Sequence, residues 1–198
     1  MSAARERTPF MDPGDEAARG REAQQGSSAA FAAIVRAYQR PIVRVAYGLT
    51  RNAADADDLA QETFVRAWQA IGRFRAGEPL YPWLARIAVN LAVSLHRRRR
   101  RRPEQSIEPL LEAGRQWGVE DDPADHAARG EYDAALRAAL AELAPEHQAV
   151  LALRAADDMS YDEIARTLGI PAGTVMSRLA RARLALKERL KARTGDSR

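Results

Sequence analysis

The side chains most able to do chemistry sit near the C-terminus, in a pattern suited to holding a polyanion. Ser160 followed by Glu163 is the signature of a capping box at a helix start. Ile164, Ala165 and Leu168 then repeat at helical spacing, and Gly169 suits a helix end. Pro171 fits the first position of a second helix, whose apolar face is Val175, Leu179, Ala182 and Leu186. Thr174, Ser177, Arg178 and Arg181 fall largely off that face. A short polar and cationic helix starting directly after a turn is the layout that reads a DNA major groove, with guanidinium and hydroxyl groups offered to base edges and phosphates. The same spacing also fits an ordinary helical hairpin whose arginines are simply solvated.

Charge distribution bears on that choice. Residues 31–102 carry 14 basic and 5 acidic side chains, a net of +9, and residues 172–198 carry 8 and 2, a net of +6. Between them, residues 103–130 and 131–171 each have a net of −5. Two basic zones suggest two contacts with a polyanion. Because 29 of the 31 basic residues are arginine, clustering carries more weight here than arginine number. The absence of cysteine excludes disulfides and thiolate metal sites and fits a reducing cytosol. No apolar run reaches the length of a membrane span, so no membrane insertion is expected. His96, His126 and His147 are scattered, without nucleophile–base or metal-ligand spacing. Neither an enzyme nor a cofactor is expected.

The elements that must position these groups are helical. Residues 1–28 lack a hydrophobic signal core and read as a polar, disordered tail. Phe31, Ile34, Val35, Tyr38, Ile42, Val45 and Leu49 predict a helix over 30–50, with a kink at Pro41. A second helix carries Leu59, Thr63, Phe64, Ala67 and Ile71. Residues 73–82, with Gly77, Pro79 and Pro82, form a loop. A third helix, with Trp83, Leu84, Ile87, Ala88, Leu91 and Leu95 as its stripe, runs into Arg97–Arg102. The expected fold is all-α: two small helical domains, 29–102 and 131–192, joined by an acidic flexible linker over 103–130. The second contains the helix-turn-helix, and 193–198 form a C-terminal tail.

On the second helix Asp58, Gln61 and Glu62 lie together, three and four residues apart, opposite much of the apolar stripe. Such a face could grip a basic partner. By residue type alone, an acidic first turn favouring the helix dipole is the simpler account.

Three segments settle the matter differently. "DADDLAQETFVRAW" (55–68), "YPWLARIAVN" (81–90) and "GIPAGTVMSRLARARLAL" (169–186) occur in an order and spacing that resemble the bacterial extracytoplasmic-function sigma factors, two-domain specificity subunits of RNA polymerase in the sigma-70 family. The resemblance covers residues 28–192. It implies a cytoplasmic protein, not itself an enzyme, that docks on core RNA polymerase, recognises −35 and −10 promoter elements and promotes DNA melting. By position, Asp58, Gln61 and Glu62 resemble the polymerase-binding surface, which grips a coiled coil of the β′ subunit in a core that also contains the β subunit. The loop from Phe74 to Tyr81 resembles the segment that captures a base flipped from the −10 element. Phe74 and Tyr81 are the candidates for holding that base, and each also fits as a core anchor. Asn90, Arg97, Arg98 and Arg99 resemble the −10 DNA-facing helix. Thr174, Ser177, Arg178 and Arg181 resemble the −35 reader. The class also implies an anti-sigma factor as partner, and a linker that threads through the polymerase imitating the charge of RNA.

The chain departs from the family pattern in "AGEPLYP" (76–82) and at Ser94, where an acidic residue is frequent. Both departures bear on −10 specificity. The rivals are a stand-alone helix-turn-helix regulator binding duplex DNA without polymerase, and an RNA-binding protein using its arginine run. The first usually needs a dimer or a ligand-binding domain, and the remaining residues form neither clearly; the second does not need the Asp58–Glu62 surface.

Overall fold

The computed structural model describes residues 10–75, 77–101 and 123–195. Its elements are α1 (Pro13–Gln24), α2 (Ser28–Thr50), α3 (Ala53–Ala70), a 3-10 turn (Ile71–Arg73), α4 (Leu80–Arg101), α5 (Pro123–Ala141), α6 (Pro145–Asp157), α7 (Tyr161–Leu168) and α8 (Ala172–Thr194). The fold is all-α, as the periodicity predicts.

In the first module α2, α3 and α4 pack on one another. The Ser27 hydroxyl caps α2 by accepting from the Ala30 N–H at 3.2 Å. Ile34, Tyr38, Ile42 and Val45 are buried, as their spacing requires. Pro41 lies buried within α2 without ending it. The Asn52 side chain caps α3 by accepting from the Asp55 N–H at 3.0 Å. Thr63 is fully buried, and its hydroxyl is satisfied by donating to the Leu59 carbonyl at 2.7 Å. Trp68 is 39% exposed and lies against Phe31 with ring centroids 5.0 Å apart. The buried stripe of α3 passes through Ala60, Phe64 and Ala67, and Trp68 falls at its edge.

Four sequence boundaries need correction. The expected N-terminal tail contains α1, whose start is fixed by Pro13 at its first turn and by the Asp12 carboxylate accepting from the Gly14 N–H at 2.8 Å. Residues 1–9 lie outside the described residues. The loop is shorter than 73–82, because α4 begins at Leu80 and takes Pro82 into its first turn, where a missing N–H breaks no helical bond. The expected linker is shortened by α5, which begins at Pro123. Residues 102–122, with the rest of the linker and its RNA-mimic role, lie outside the described residues. Finally, α8 runs to Thr194, so Arg193 belongs to a helix: it pairs with Glu142, as Arg189 does at 3.7 Å.

The helix-turn-helix forms as its residue types require. The Ser160 N–H donates to Glu163 Oε2 at 2.8 Å, and the Glu163 N–H donates to Ser160 Oγ at 3.2 Å, closing the capping box. Gly169 ends α7 in the left-handed region, at φ +66°. Pro171 is the N-cap of α8 rather than its first residue. Arg154, on α6, donates to the carbonyls of Asp158 and Met159 at 2.9 and 2.8 Å, fixing the entry to α7. α7 has only eight residues, too few to persist without capping and packing. Ser160→Ala should therefore lower stability by about 1 kcal/mol, read as a shift of the chemical-denaturation midpoint at unchanged slope.

The two modules share a core. α2 packs against α6, and α4 against α7, so buried residues form one cluster from Ala23 through Ala182. Gly48 faces Ala152 closely enough that a Cβ there would lie 3.0 Å from the Ala152 Cβ. Arg44 Nε donates to the Ala156 carbonyl across the same seam at 3.2 Å. The sequence predicted two cores; the structure joins them.

Candidate functional site

The outer face of α3 is the first candidate surface. Asp58 and Gln61 are exposed and Glu62 is half-buried, while Leu59, Thr63 and Phe64 carry the packing on the opposite side. Glu62 Oε1 accepts from Arg66 Nε at 2.6 Å one turn away. Val65, 49% exposed, completes the i, i+3, i+4, i+7 row with Asp58, Gln61 and Glu62. Sequence reasoning did not single out Val65, because the search of this face was for charged and polar groups. Among the described residues, α3 packs mainly on α2, α4 and the 3-10 turn.

Phe74 and Tyr81 behave as core anchors in this structure. Phe74 is 8% exposed and packs on Trp83 with ring centroids 4.9 Å apart. Tyr81 is 3% exposed and lies between Phe10 at 4.9 Å and Tyr38 at 6.3 Å. The loop they anchor turns at Arg75–Glu78, where the Glu78 N–H donates to the Arg75 carbonyl at 3.1 Å and Gly77 adopts φ +97°, a conformation that suits glycine. Its outward groups are Arg75 and Glu78. They line a concavity with Arg73, Trp83, Arg86 and Arg166, so the cationic and partly exposed aromatic surface beside the loop comes from residues the sequence did not single out.

Along α4, Asn90, Ser94, Arg97 and Arg98 are exposed, and the Ser94 hydroxyl donates to the Asn90 carbonyl at 2.8 Å. The Arg99 side chain lies outside the described ones. Asp55, Asp58 and Glu62 face Ser94 and Arg98 across a groove between α3 and α4, so the acidic face of α3 and the basic end of α4 meet at one edge.

On α8, Val175, Leu179 and Ala182 are buried; Thr174, Ser177 and Arg178 are half-buried and Arg181 is exposed. Arg181 folds back along the helix, donating to the Ser177 carbonyl and hydroxyl at 3.3 Å each. The Ser177 hydroxyl donates to the Thr174 carbonyl at 3.0 Å. Met176 is 50% exposed, but at 3.6 residues per turn it falls on the far side of the helix from the Thr174, Arg178 and Arg181 row. Glu163 is a cap, as expected.

At the seam between modules, Arg51 ends α2 with φ 57°, in the left-handed region. Its Nε is buried without a partner, and burial holds the guanidinium below its usual pKa.

Comparison with known proteins gives this geometry a family. The sigma-70 region 2 model matches residues 34–102 and the sigma-70 region 4 model residues 133–186. The RNA polymerase sigma-H factor of Pseudomonas aeruginosa is 33% identical over 84% of this chain and 89% of its own. The ECF RNA polymerase sigma factor SigE of Mycolicibacterium smegmatis is 34% identical over 91% and 71%. The chain belongs to the extracytoplasmic-function sigma factors. Among solved structures it is similar to the sigma factor RpoE of Bartonella quintana, in complex with the anti-sigma factor NepR: 30% identity, TM-score 0.56, covering 77% of this chain and 91% of that one. This sigma factor acts with RNA polymerase in promoter-specific initiation of transcription. Its region 2 comprises most of α2, with α3 and α4; its region 4 contains the helix-turn-helix. No described helix is long and apolar enough to cross a membrane.

Proposed function

We propose a division of labour within the sigma factor. The α3 face of Asp58, Gln61, Glu62 and Val65 docks on a basic coiled coil of the polymerase β′ subunit. The loop between the 3-10 turn and α4 meets the −10 element through its outward groups, with Phe74 and Tyr81 fixing its shape. Asn90, Arg97, Arg98 and Arg99 hold the adjoining backbone. On α8, Thr174, Ser177, Arg178 and Arg181 enter the −35 major groove. The observation that carries this reading is that α3 turns its acidic row outward while its buried residues, Leu59, Ala60, Thr63, Phe64 and Ala67, lie on the other side. An acidic row whose outer side is open to solvent suits a cationic partner outside the chain. The protein works in the cytoplasm, where polymerase and promoters are. An anti-sigma factor is its natural regulator, because a partner that holds the two modules together would keep them from separate promoter elements.

In vitro transcription with core polymerase over a randomised promoter library tests the scheme. It should return a paired −35 and −10 motif; absence of core-dependent initiation would overturn it. In the same assay Arg178→Ala should weaken promoters with an intact −35 element by ~1–3 kcal/mol, as for loss of a bidentate base contact. Promoters lacking a −35 element should be little changed, and an unchanged profile on both classes would remove Arg178 from the interface.

A further inference from the structure

We infer that α1 is a positioning brace for the loop between the 3-10 turn and α4, with Glu16 and Gln24 as its positioning residues. The inference rests on the reading of that loop as the −10 element's contact. α1 lies before residue 34, where the match to region 2 begins.

Glu16, Gly20 and Gln24 are spaced four residues apart and so share one face of α1, spanning about 12 Å. Each end of that stripe holds one end of the loop. Gln24 Nε2 donates to the Ile71 carbonyl at 3.2 Å and to the Phe74 carbonyl, where the loop leaves the 3-10 turn. Glu16 Oε1 accepts from the Leu80 N–H, where the loop enters α4. The residue before α4 is Pro79, which has no side-chain acceptor to cap the helix. Glu16 supplies that acceptor from another element, with its charge on the favourable side of the α4 dipole.

Between the two polar clamps the contact is apolar. Gly20 is buried against the Phe74 ring, 3.7 Å from where its Cβ would stand. Just before α1, Phe10 covers Tyr81 and Tyr38. Phe74, at the start of the loop, and Tyr81, in the first turn of α4, are therefore both covered from the N-terminal segment. With its two ends and its two anchors held, the turn carrying Arg75 and Glu78 keeps one geometry before any DNA arrives. A loop ordered in advance gives up less conformational freedom on binding, so the brace should act on −10 readout and leave −35 readout alone.

The chemistry of Gln24 provides a sharp test. It faces two carbonyl oxygens, so only a donor satisfies the site. Gln24→Glu is nearly isosteric yet sets a carboxylate against both carbonyls; Gln24→Lys changes shape but restores a donor. Full-length variants would be assembled with core polymerase and assayed by transcription over a library randomised at −10 and −35. Discrimination at −10 positions should fall in the order wild type, Lys, Ala, Glu, with Gln24→Glu reduced roughly tenfold. Glu16→Gln, which keeps an acceptor for Leu80, should retain more discrimination than Glu16→Ala. Discrimination at −35 positions should be unchanged throughout.

A purely packing role predicts that Glu equals Gln at position 24, and that result overturns the brace. So does a parallel fall at −35, which would signal general destabilisation. Arg75→Ala and Glu78→Ala separate this failure from failure of the underlying reading. If they shift −10 preference while the Gln24 series does not, the brace alone falls. If they leave −10 preference untouched, the loop is not the reader and the inference falls with it.

Discussion

Lysine in place of both Asp58 and Glu62 is expected to lower affinity for core RNA polymerase by roughly a hundredfold or more while leaving the protein folded. The reasoning separates what the two carboxylates do for the fold from what they offer a partner. Asp58 is exposed, and the ion pair of Glu62 is with Arg66 on the same helix, with both side chains around half exposed. An i, i+4 pair of that kind contributes about 0.3–0.5 kcal/mol, so losing it, and even placing a like charge beside Arg66, leaves the core of α3 intact. Against a basic helix the same change substitutes repulsion for attraction, and like-charge juxtaposition in an interface costs several kcal/mol. Each 1.4 kcal/mol is a factor of ten. Because the row is solvent-facing, wild-type affinity should fall as salt rises, and the gap between wild type and variant should narrow. Titration of labelled sigma factor with core polymerase at two salt concentrations, beside a thermal melt, measures both sides. Full affinity in the double variant would remove α3 from the polymerase interface.

What could be read from the residues, and what could not, divides along one physical line. Local chemistry was legible. Ser160 with Glu163 announced a capping box that the structure forms with both hydrogen bonds, and Val175, Leu179 and Ala182 announced the buried face of α8. Contacts between elements were not. The buried positions of α1 are Gly20 and Ala23, the two smallest residues, so a helix that packs closely left no hydrophobic period and read as a tail. Phe74 and Tyr81 have the right type for stacking on a base; only their neighbours, Trp83, Phe10 and Tyr38, show them occupied as anchors. Trp68 and Val65 are apolar residues on α3 that the structure leaves open to solvent, which residue type alone does not show. The family resemblance carried the function because motif order survives without knowledge of which faces meet.

The seam between the modules poses a geometric problem that a single substitution can probe. Elements centred at −35 and −10 lie roughly 25 base pairs apart, or about 85 Å along B-DNA. A compact chain of this length has a radius of gyration of about 16 Å, hence a diameter near ~40 Å. With α2 packed on α6 and α4 on α7, the sigma factor can reach one element but not both. If each module reads one element, as proposed, the modules must part. Gly48 sits at the seam: a Cβ there would meet the Ala152 Cβ at 3.0 Å and its Cα at 3.3 Å. Gly48→Leu should therefore act with opposite signs on module and assembly. Within α2 a leucine improves helix propensity by about 0.8 kcal/mol over glycine, so the first module should not lose stability. Across the seam the added side chain overpacks a close contact, at a cost of ~1–3 kcal/mol, and strains the Arg44 bond to the Ala156 carbonyl. The population should shift toward separated modules, seen as a larger radius of gyration in small-angle scattering. If separation is needed before promoter-bound polymerase can be engaged, apparent affinity rises by the factor in which the competent fraction grows, up to roughly tenfold. A variant with an unchanged radius of gyration would mean that the seam absorbs the leucine. One that opens without any gain in affinity would mean that the packed arrangement is not what limits assembly.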